Sequence, residues 1–363
     1  MKAPLHGAKT IDLNPAPSGQ PAPINAWFSL KLMFTQSTDE FLRLAAEVEA
    51  SLQRQVLEQW FPRAVDPAGG FHQNYAEDWS RLPGNERSVV YQSRLTWLAA
   101  QAAKRFPIQA EAYLSYARHG LRCFSERLWD SGTGGFFWAV SDDSNDDSDP
   151  VRNGEKYVYG LSFAIYALAA LHAAGQDEEA LTLAKRAYGW LQEHAHDAEN
   201  GGWHEALTRE NAPIFGPTAQ SVSGIVGARH GASWIMALQF GWDTRHGGFY
   251  DAGGVFGPIF NREKIWWVQA EGMNALLLMD GKFGGETSRY WEAFIGQWQF
   301  IQRHQIDARH GGWFSEVSEN GEALPGRVKS DGWTEGYHQG RALLTVSAAL
   351  RARAADNAGH PLG

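Results

Sequence analysis

Apolar residues recur at the i, i+3/i+4, i+7 spacing of an amphipathic helix in nine stretches of the chain. These cover roughly 38–61, 88–106, 108–128, 154–174, 177–194, 217–240, 262–283, 286–305 and 332–355. The first stretch carries a start signal, Ser37-Thr38-Asp39-Glu40, which predicts a capping box. Strand-like patterning is confined to a few residues around a recurring phrase, an Asp followed by Gly-Gly and an aromatic. Glycine permits the turn there, and the aromatic can plug one end of a core.

The phrase occurs five times, as Asp66–Gly69–Gly70–Phe71, Asp130–Gly134–Gly135–Phe136, Asp197–Gly201–Gly202–Trp203, Asp243–Gly247–Gly248–Phe249 and Asp307–Gly311–Gly312–Trp313. From Gly69 to Gly134, Gly201, Gly247 and Gly311 the successive steps are 65, 67, 46 and 64. A step near 65 holds two helices with their loops, so the phrase punctuates an array of helical hairpins, a toroid. The step from Gly201 to Gly247 has room for one helix only, the stretch at 217–240, and breaks the alternation.

Bulk properties narrow the class. At 363 residues with an unbroken repeat, the chain reads as one domain over 36–356, with a flexible arm at 1–35 and a tail at 357–363. The apolar fraction of 44% and the 16 Trp supply a sizeable core. A net charge of −9 without a Lys/Arg run argues against nucleic acid and against an anionic membrane surface. Cys123 is the only cysteine, which excludes an internal disulfide and predicts a cytoplasmic protein. No continuous apolar segment is expected to serve as a signal sequence or membrane span.

Helices that start at one end of a hairpin toroid present their first turns to a shared cavity. Arg94 stands at +24 from Gly70, Tyr159 at +24 from Gly135, Glu271 at +23 from Gly248, and His338 at +26 from Gly312. Four polar groups thus recur at nearly one depth, as in a cavity lined by one residue per hairpin. Trp267 and Glu271 share a helical face, suited to stacking on a pyranose and accepting its hydroxyls. Asp331, Glu335 and His338, at i, i+4, i+7, are expected on one face, where a carboxylate would fix the imidazole tautomer for proton transfer. The plain alternatives are a solvated or capping Arg and Glu, a core Trp266–Trp267 pair and a structural histidine. No Walker loop, GxGxxG, CxxC pair or HExxH stands in the chain, and the Asp-rich run Ser141–Asp149 lacks the Gly and Glu of a calcium loop.

Four segments carry a resemblance: Tyr91–Trp97, Lys156–Phe163, Trp266-Trp267-Val268-Gln269-Ala270-Glu271, and Gly336-Tyr337-His338-Gln339-Gly340-Arg341-Ala342-Leu343. Over about residues 38–353 the chain resembles the N-acylglucosamine 2-epimerase family, which includes mannose isomerases and cellobiose 2-epimerases. The resemblance implies an all-α (α/α)6 barrel of twelve helices with its site where the inner helices begin. It implies that Arg94, Tyr159 and Glu271 hold sugar hydroxyls, that Trp266 and Trp267 stack on the ring, and that His338 is one of two histidines exchanging the proton at C2. Neither metal nor cofactor is implied.

The chain departs from the family pattern in its middle. The Gly-His-x-x-Glu-Trp motif of the second catalytic histidine is absent, as is a further histidine segment, Asn-x-His-x-His-Leu-Leu-Glu-Ala. The nearest counterpart is Arg229-His230-Gly231-Ala232-Ser233-Trp234, with Ser233 at the Glu position, so His230 is the candidate second catalytic group. Two steps of the regular size would need about 130 positions where 46 stand, so about 84 are absent, close to three helices. The expectation is an incomplete barrel of nine helices acting on a small-molecule sugar by proton transfer at C2 through an enediolate. One secure histidine suits aldose–ketose isomerisation better than epimerisation, which needs a base and an acid on opposite faces. The rival readings are a glycoside hydrolase pairing Glu271 with Asp331 or Glu335, and a non-catalytic sugar-binding paralogue. A homodimer is compatible with each.

Overall fold

Ser37 caps the first helix as its sequence predicts, its Oγ accepting the Glu40 N–H at 3.2 Å. The Glu40 carboxylate turns to Arg43 instead of closing back on the cap, so the box is half formed. The computed structural model describes residues 36–141, 154–215, 237–254, 258–284 and 289–359, and a compact unit begins at Gln36. Its helices are α1 (Thr38–Ser51), α2 (Val89–Arg105), α3 (Ala110–Cys123), α4 (Val158–Gly175), α5 (Glu178–Trp190), α6 (Trp266–Phe283), α7 (Arg289–Phe300) and α8 (Tyr337–Gly359). The predicted stretch at 217–240 falls almost wholly outside the described residues, with His230 and the Asp-rich run beyond Ser141. Helix α8 runs past residue 357, where a tail was expected.

The helices form two layers. The inner helices α2, α4, α6 and α8 each pack on an outer partner, α3, α5, α7 and α1 respectively, so the first helix closes onto the last. Inner neighbours follow the order α4, α2, α8, α6. Helix α2 lies within this arrangement, and all its residues from Val89 to Ala100 are buried. Helix α4 is apolar all round, with a mean hydropathy of 1.5 over its 18 residues. By length and composition it could cross a membrane, contrary to the expectation that no segment could. Its packing on α2 and α5 buries 39% of it, and the rest of that apolar surface is not covered by the described residues.

The outer helices end alike, in one widened turn of i→i+5 bonds: Leu52–Leu57, Phe124–Leu128, Leu191–Ala195 and Ile301–Gln305. The phrase follows each. In the second copy the Asp130 carboxylate accepts the N–H groups of Gly132 and Thr133, and Trp129 bridges to Phe136. Gly135 lies at φ +78°, and a Cβ there would sit 2.8 Å from the Trp190 ring of the next outer helix. Backbone conformation and close packing both demand glycine.

Buried cations complete four of the five phrases. Arg87 pairs with Asp66, Lys156 with Asp130 at 3.1 Å, Lys264 with Asp243 at 2.8 Å, and Lys329 with Asp307 at 2.6 Å. Each cation lies just before an inner helix, in a short strand or extended stretch that crosses to the segment after another phrase. Thus β1 (Arg87–Ser88) pairs with β2 (Ala139–Val140), β3 (Lys156–Tyr157) with β4 (Ala206–Leu207), and Ser330 with Tyr75. The entry to each of these inner helices is fixed by an ion pair and a strand pair.

The short step leaves visible traces. The turn Ala237–Gly241 has the widened geometry and precedes a phrase, the place of an outer-helix end. Among the described residues the strand after that phrase, β5 (Ala252–Gly253), pairs with β6 (Ile259–Asn261) of its own hairpin, whereas β7 (Lys264–Ile265) pairs across to β8 (Glu316–Val317). Around Gly202 a Cβ would meet nothing within 4 Å. Trp203 is 43% exposed, against 4% for Trp313 of the fifth phrase. Among the described residues, the third phrase lacks the cover that packs the others.

Candidate active site

The entry to α8 places the central histidine. Asp331 accepts the N–H groups of Trp333 and Thr334, folding 331–336 into turns, so the helix begins at Tyr337 and not near residue 332. The expected face of Asp331, Glu335 and His338 therefore does not form. Glu335 is fully buried, accepts the Tyr337 N–H, and pairs with Arg94 at 2.8 Å. Gly340 lets α8 approach α2, since a Cβ there would lie 2.5 Å from Leu98.

The carboxylate beside His338 comes from α6. Glu271 Oε1 receives His338 Nδ1 at 2.8 Å and Arg341 Nη2, while its Oε2 accepts nothing from the described residues. Burial pushes the Glu271 carboxyl up, but the His338 hydrogen bond and the Arg341 charge outweigh it and hold it below the usual carboxylate range. An ionised carboxylate at Nδ1 selects the tautomer with the proton there, which leaves Nε2 as the basic nitrogen.

A second group adjoins it. Arg94 on α2 reaches Tyr159 Oη on α4 at 3.3 Å, and its guanidinium lies over Phe163 at 4.8 Å and Tyr337 at 5.3 Å. Arg341 lies over the same Tyr337 ring at 5.5 Å, so Tyr337 joins the two groups. Burial pushes its phenol up to about 12, and it stays neutral. Arg94 is 5% exposed and directed at protein partners, whereas Tyr159 is 40% exposed. The structure thus gathers Arg94 with Tyr159, and Glu271 with His338. The tryptophan pair divides: Trp266 is 9% exposed and belongs to the core, while Trp267 is 42% exposed with its ring 6.0 Å from His338.

Sequence reasoning missed Arg341 and Trp333. Arg341 stands three residues after His338, a helical neighbour visible in the spacing. Trp333 is 56% exposed, 6.0 Å from Trp138, in the turn before α8. Two groups of metal-ligand type occur among the described residues, Glu77 with Asp307 and His310, and Asp243 with His246 and Glu319. In each, a lysine Nζ already donates to the Asp, and Lys264 has further acceptors in the Gly247 and Glu319 carbonyls. The ammonium groups stand where a cation would bind.

The model of the N-acylglucosamine 2-epimerase family matches residues 69–222 and 231–342, well over half of the chain. The chain belongs to this family. A cellobiose 2-epimerase of Bacteroides fragilis is 24% identical over 400 residues, covering 85% of this chain and 99% of that protein. A D-mannose isomerase of Marinomonas mediterranea is 23% identical, covering 77% of this chain and 91% of the relative. The solved cellobiose 2-epimerase of Spirochaeta thermophila superposes with a TM-score of 0.67 at 23% identity, covering 86% of this chain and 98% of that one. A D-mannose isomerase crystal structure superposes with a TM-score of 0.70 at 20% identity, covering 84% and 97%. These bear out the (α/α)-barrel fold and the expectation of a carbohydrate isomerase or epimerase, and they favour neither rival reading. The alignment with the Bacteroides protein runs to 400 positions while using 85% of a chain of 363, so a sizeable part of that relative stands opposite gaps. The break in the family match at 222–231 falls within the short step.

Proposed function

We propose that this family member interconverts an aldose and its ketose, with His338 as the general acid–base at C2. The observation that carries the proposal is the Glu271–His338 pair, an ionised carboxylate at Nδ1 that leaves Nε2 free of the described residues. The ring-opened aldose loses its C2 proton to Nε2, and the electron pair moves to give an enediolate with charge on O1. His338 returns the proton to C1, the O2–H proton passes to O1 directly or through solvent, and the C2 carbonyl forms. Tyr159, backed by Arg94, is suited to donate to the developing oxyanion. Glu271 Oε2 is suited to a sugar hydroxyl, Trp267 to the apolar face of the ring, and the exposed Trp333 to a second ring.

One base suffices for this shuttle. Epimerisation needs a second group on the other face, for which His230 is our candidate; His230→Ala should abolish epimer formation and spare ketose formation. The partner is a small-molecule sugar, neither nucleic acid nor membrane, which the net charge of −9 supports. A reducing, cytoplasmic setting is supported by Cys123, a buried thiol that burial pushes up to about 12. The proposal is tested by incubation with mannose, N-acylmannosamine and cellobiose, followed by chromatography. Ketose formation lost in His338→Asn supports it. Glucose released from cellobiose points to a hydrolase instead, and calorimetric binding without conversion points to a non-catalytic paralogue.

A further inference from the structure

We propose that Glu335 is a specificity-determining residue, cancelling the charge of Arg94 so that the site takes uncharged sugars and turns away those carrying a carboxylate or phosphate. The inference rests on the reading of the site as one for an aldose. Glu335 is fully buried, so it acts through its partners. Its Oε1 accepts Arg94 Nη1 at 2.8 Å, and its Oε2 accepts the Tyr337 N–H. Held through both oxygens, it fixes Arg94 with Nη2 at 3.3 Å from Tyr159 Oη and with the guanidinium over Phe163 and Tyr337.

Stability alone accounts poorly for this carboxylate, because a buried ion pair adds little over apolar side chains of the same volume. The charges of the site give a better reason. Its two guanidinium groups, Arg94 and Arg341, are each matched by one carboxylate, Glu335 and Glu271. Around the entries to α6 and α8 stand Asp251, Glu263, Glu316 and Asp331, with Arg327 among them. Burial pushes the Glu316 carboxyl up, and the other three carboxylates add to that against the pull of Arg327. The site is therefore neutral within and negative at its rim. Proton transfer keeps the interior neutral, since the enediolate gains its charge as His338 gains the proton. A lone Arg94 would be a permanent cation, and it would hold a resting anion as readily as the charge that develops in the reaction. With Glu335 beside it, Arg94 still donates to Tyr159 but presents no net charge.

The test compares D-mannonate with D-mannitol by calorimetry. These open-chain probes differ only in a carboxylate or a CH2OH at C1, the end that the proposed enediolate sets against Tyr159 and Arg94. The unmodified protein should bind mannitol more tightly. In Glu335→Gln the affinity for mannonate relative to mannitol should rise about tenfold, the effect of one uncompensated charge close to the ligand. Glu335→Asp keeps the charge and should keep the unmodified ratio. A ratio within about twofold of the unmodified one in Glu335→Gln overturns the inference, because a merely structural pair would weaken both probes alike. Glu335→Ser, with room for a water on Arg94 Nη1, gives the same comparison should the glutamine variant not fold. If the unmodified protein binds mannitol but forms no ketose, the proposed function fails, while the ratio still decides the part played by Glu335. If it binds neither probe, the sugar site fails and the inference with it.

Discussion

Replacing Lys264 by Met tests whether buried ion pairs lock the phrases to the inner helices. Lys264 and Asp243 have side-chain exposures of 0% and 2%, and Nζ also donates to the Gly247 and Glu319 carbonyls. Methionine nearly preserves the volume but leaves the Asp243 Oδ2 without its ammonium partner, with His246 Nδ1 at 3.2 Å and the Tyr250 phenol beside it. Removing one partner of a buried pair costs about 3–5 kcal/mol, because the other charge is left without compensation. At roughly 2 °C per kcal/mol for a large domain, the melting temperature should fall by about 6–10 °C. The double variant Lys264→Met/Asp243→Asn removes both charges and keeps Oδ1 for the Arg245 and His246 N–H groups. It should recover about 2 kcal/mol, the coupling between the partners. Urea unfolding followed by tryptophan fluorescence, with reversibility verified, reads both. Asp197→Asn is the control: Asp197 has no lysine or arginine partner among the described residues, and its curve should move far less than that of Lys264→Met. A Lys264→Met cost below about 1 kcal/mol would equate the pair with a surface ion pair and refute the reasoning.

Other consequences follow from the same packing. The Asp130 carboxyl is pushed up by burial but pulled down more strongly by Thr133, the Gly132 N–H and Lys156, to about 2. Asp243 and Asp307 are also held low against burial. Groups depressed in the folded state stabilise it fully above the unfolded carboxylate value, about 3.9, and lose that stabilisation as pH falls through the folded value. Urea midpoints should therefore drop steeply between pH 4 and pH 2; a flat profile would show the pairs to be uncoupled from folding. Gly135→Ala must displace Trp190, whereas Gly202→Ala meets open space and carries only the cost of positive φ. The first should lower the melting temperature more than the second, and equal shifts would contradict the uncovered third phrase. Trp266→Ala should cost about 3–5 kcal/mol of stability as a core truncation. Trp267→Ala should instead raise KM with the melting temperature little changed, and a reversal of these two outcomes would exchange their assignments.

Local features of the chain were the readable ones. Helical periodicity located eight helices, and the spacing of the phrase exposed both the hairpin array and the step too short to hold its hairpins. Among the described residues, β5 pairs with its own hairpin and not across to another phrase. The partner of His338 was misread because it depends on distant contacts. Spacing favoured Glu335, three residues before it, but the Asp331 turn delays the helix and delivers Glu335 to Arg94, while Glu271 arrives from α6, far earlier in the chain. Trp267 was readable from the face it shares with Glu271, whereas the core place of Trp266 was not, since adjacent residues differ only in helix rotation. That rotation is set by β7 and Lys264 before α6. Arg341 was visible as a helical neighbour of His338, but its meaning required Glu271.

Incubation of the protein with an aldose panel in D2O, followed by NMR at C1 and C2, tests the central claim most directly. The account predicts loss of the C2 proton, deuterium or transferred hydrogen at C1 of the ketose, and a rate lowered at least about a thousandfold in a folded His338→Asn variant, a loss proper to a general acid–base group. C2 exchange at the unmodified rate in His338→Asn, or no exchange at C2 of any aldose by the unmodified protein, would contradict it.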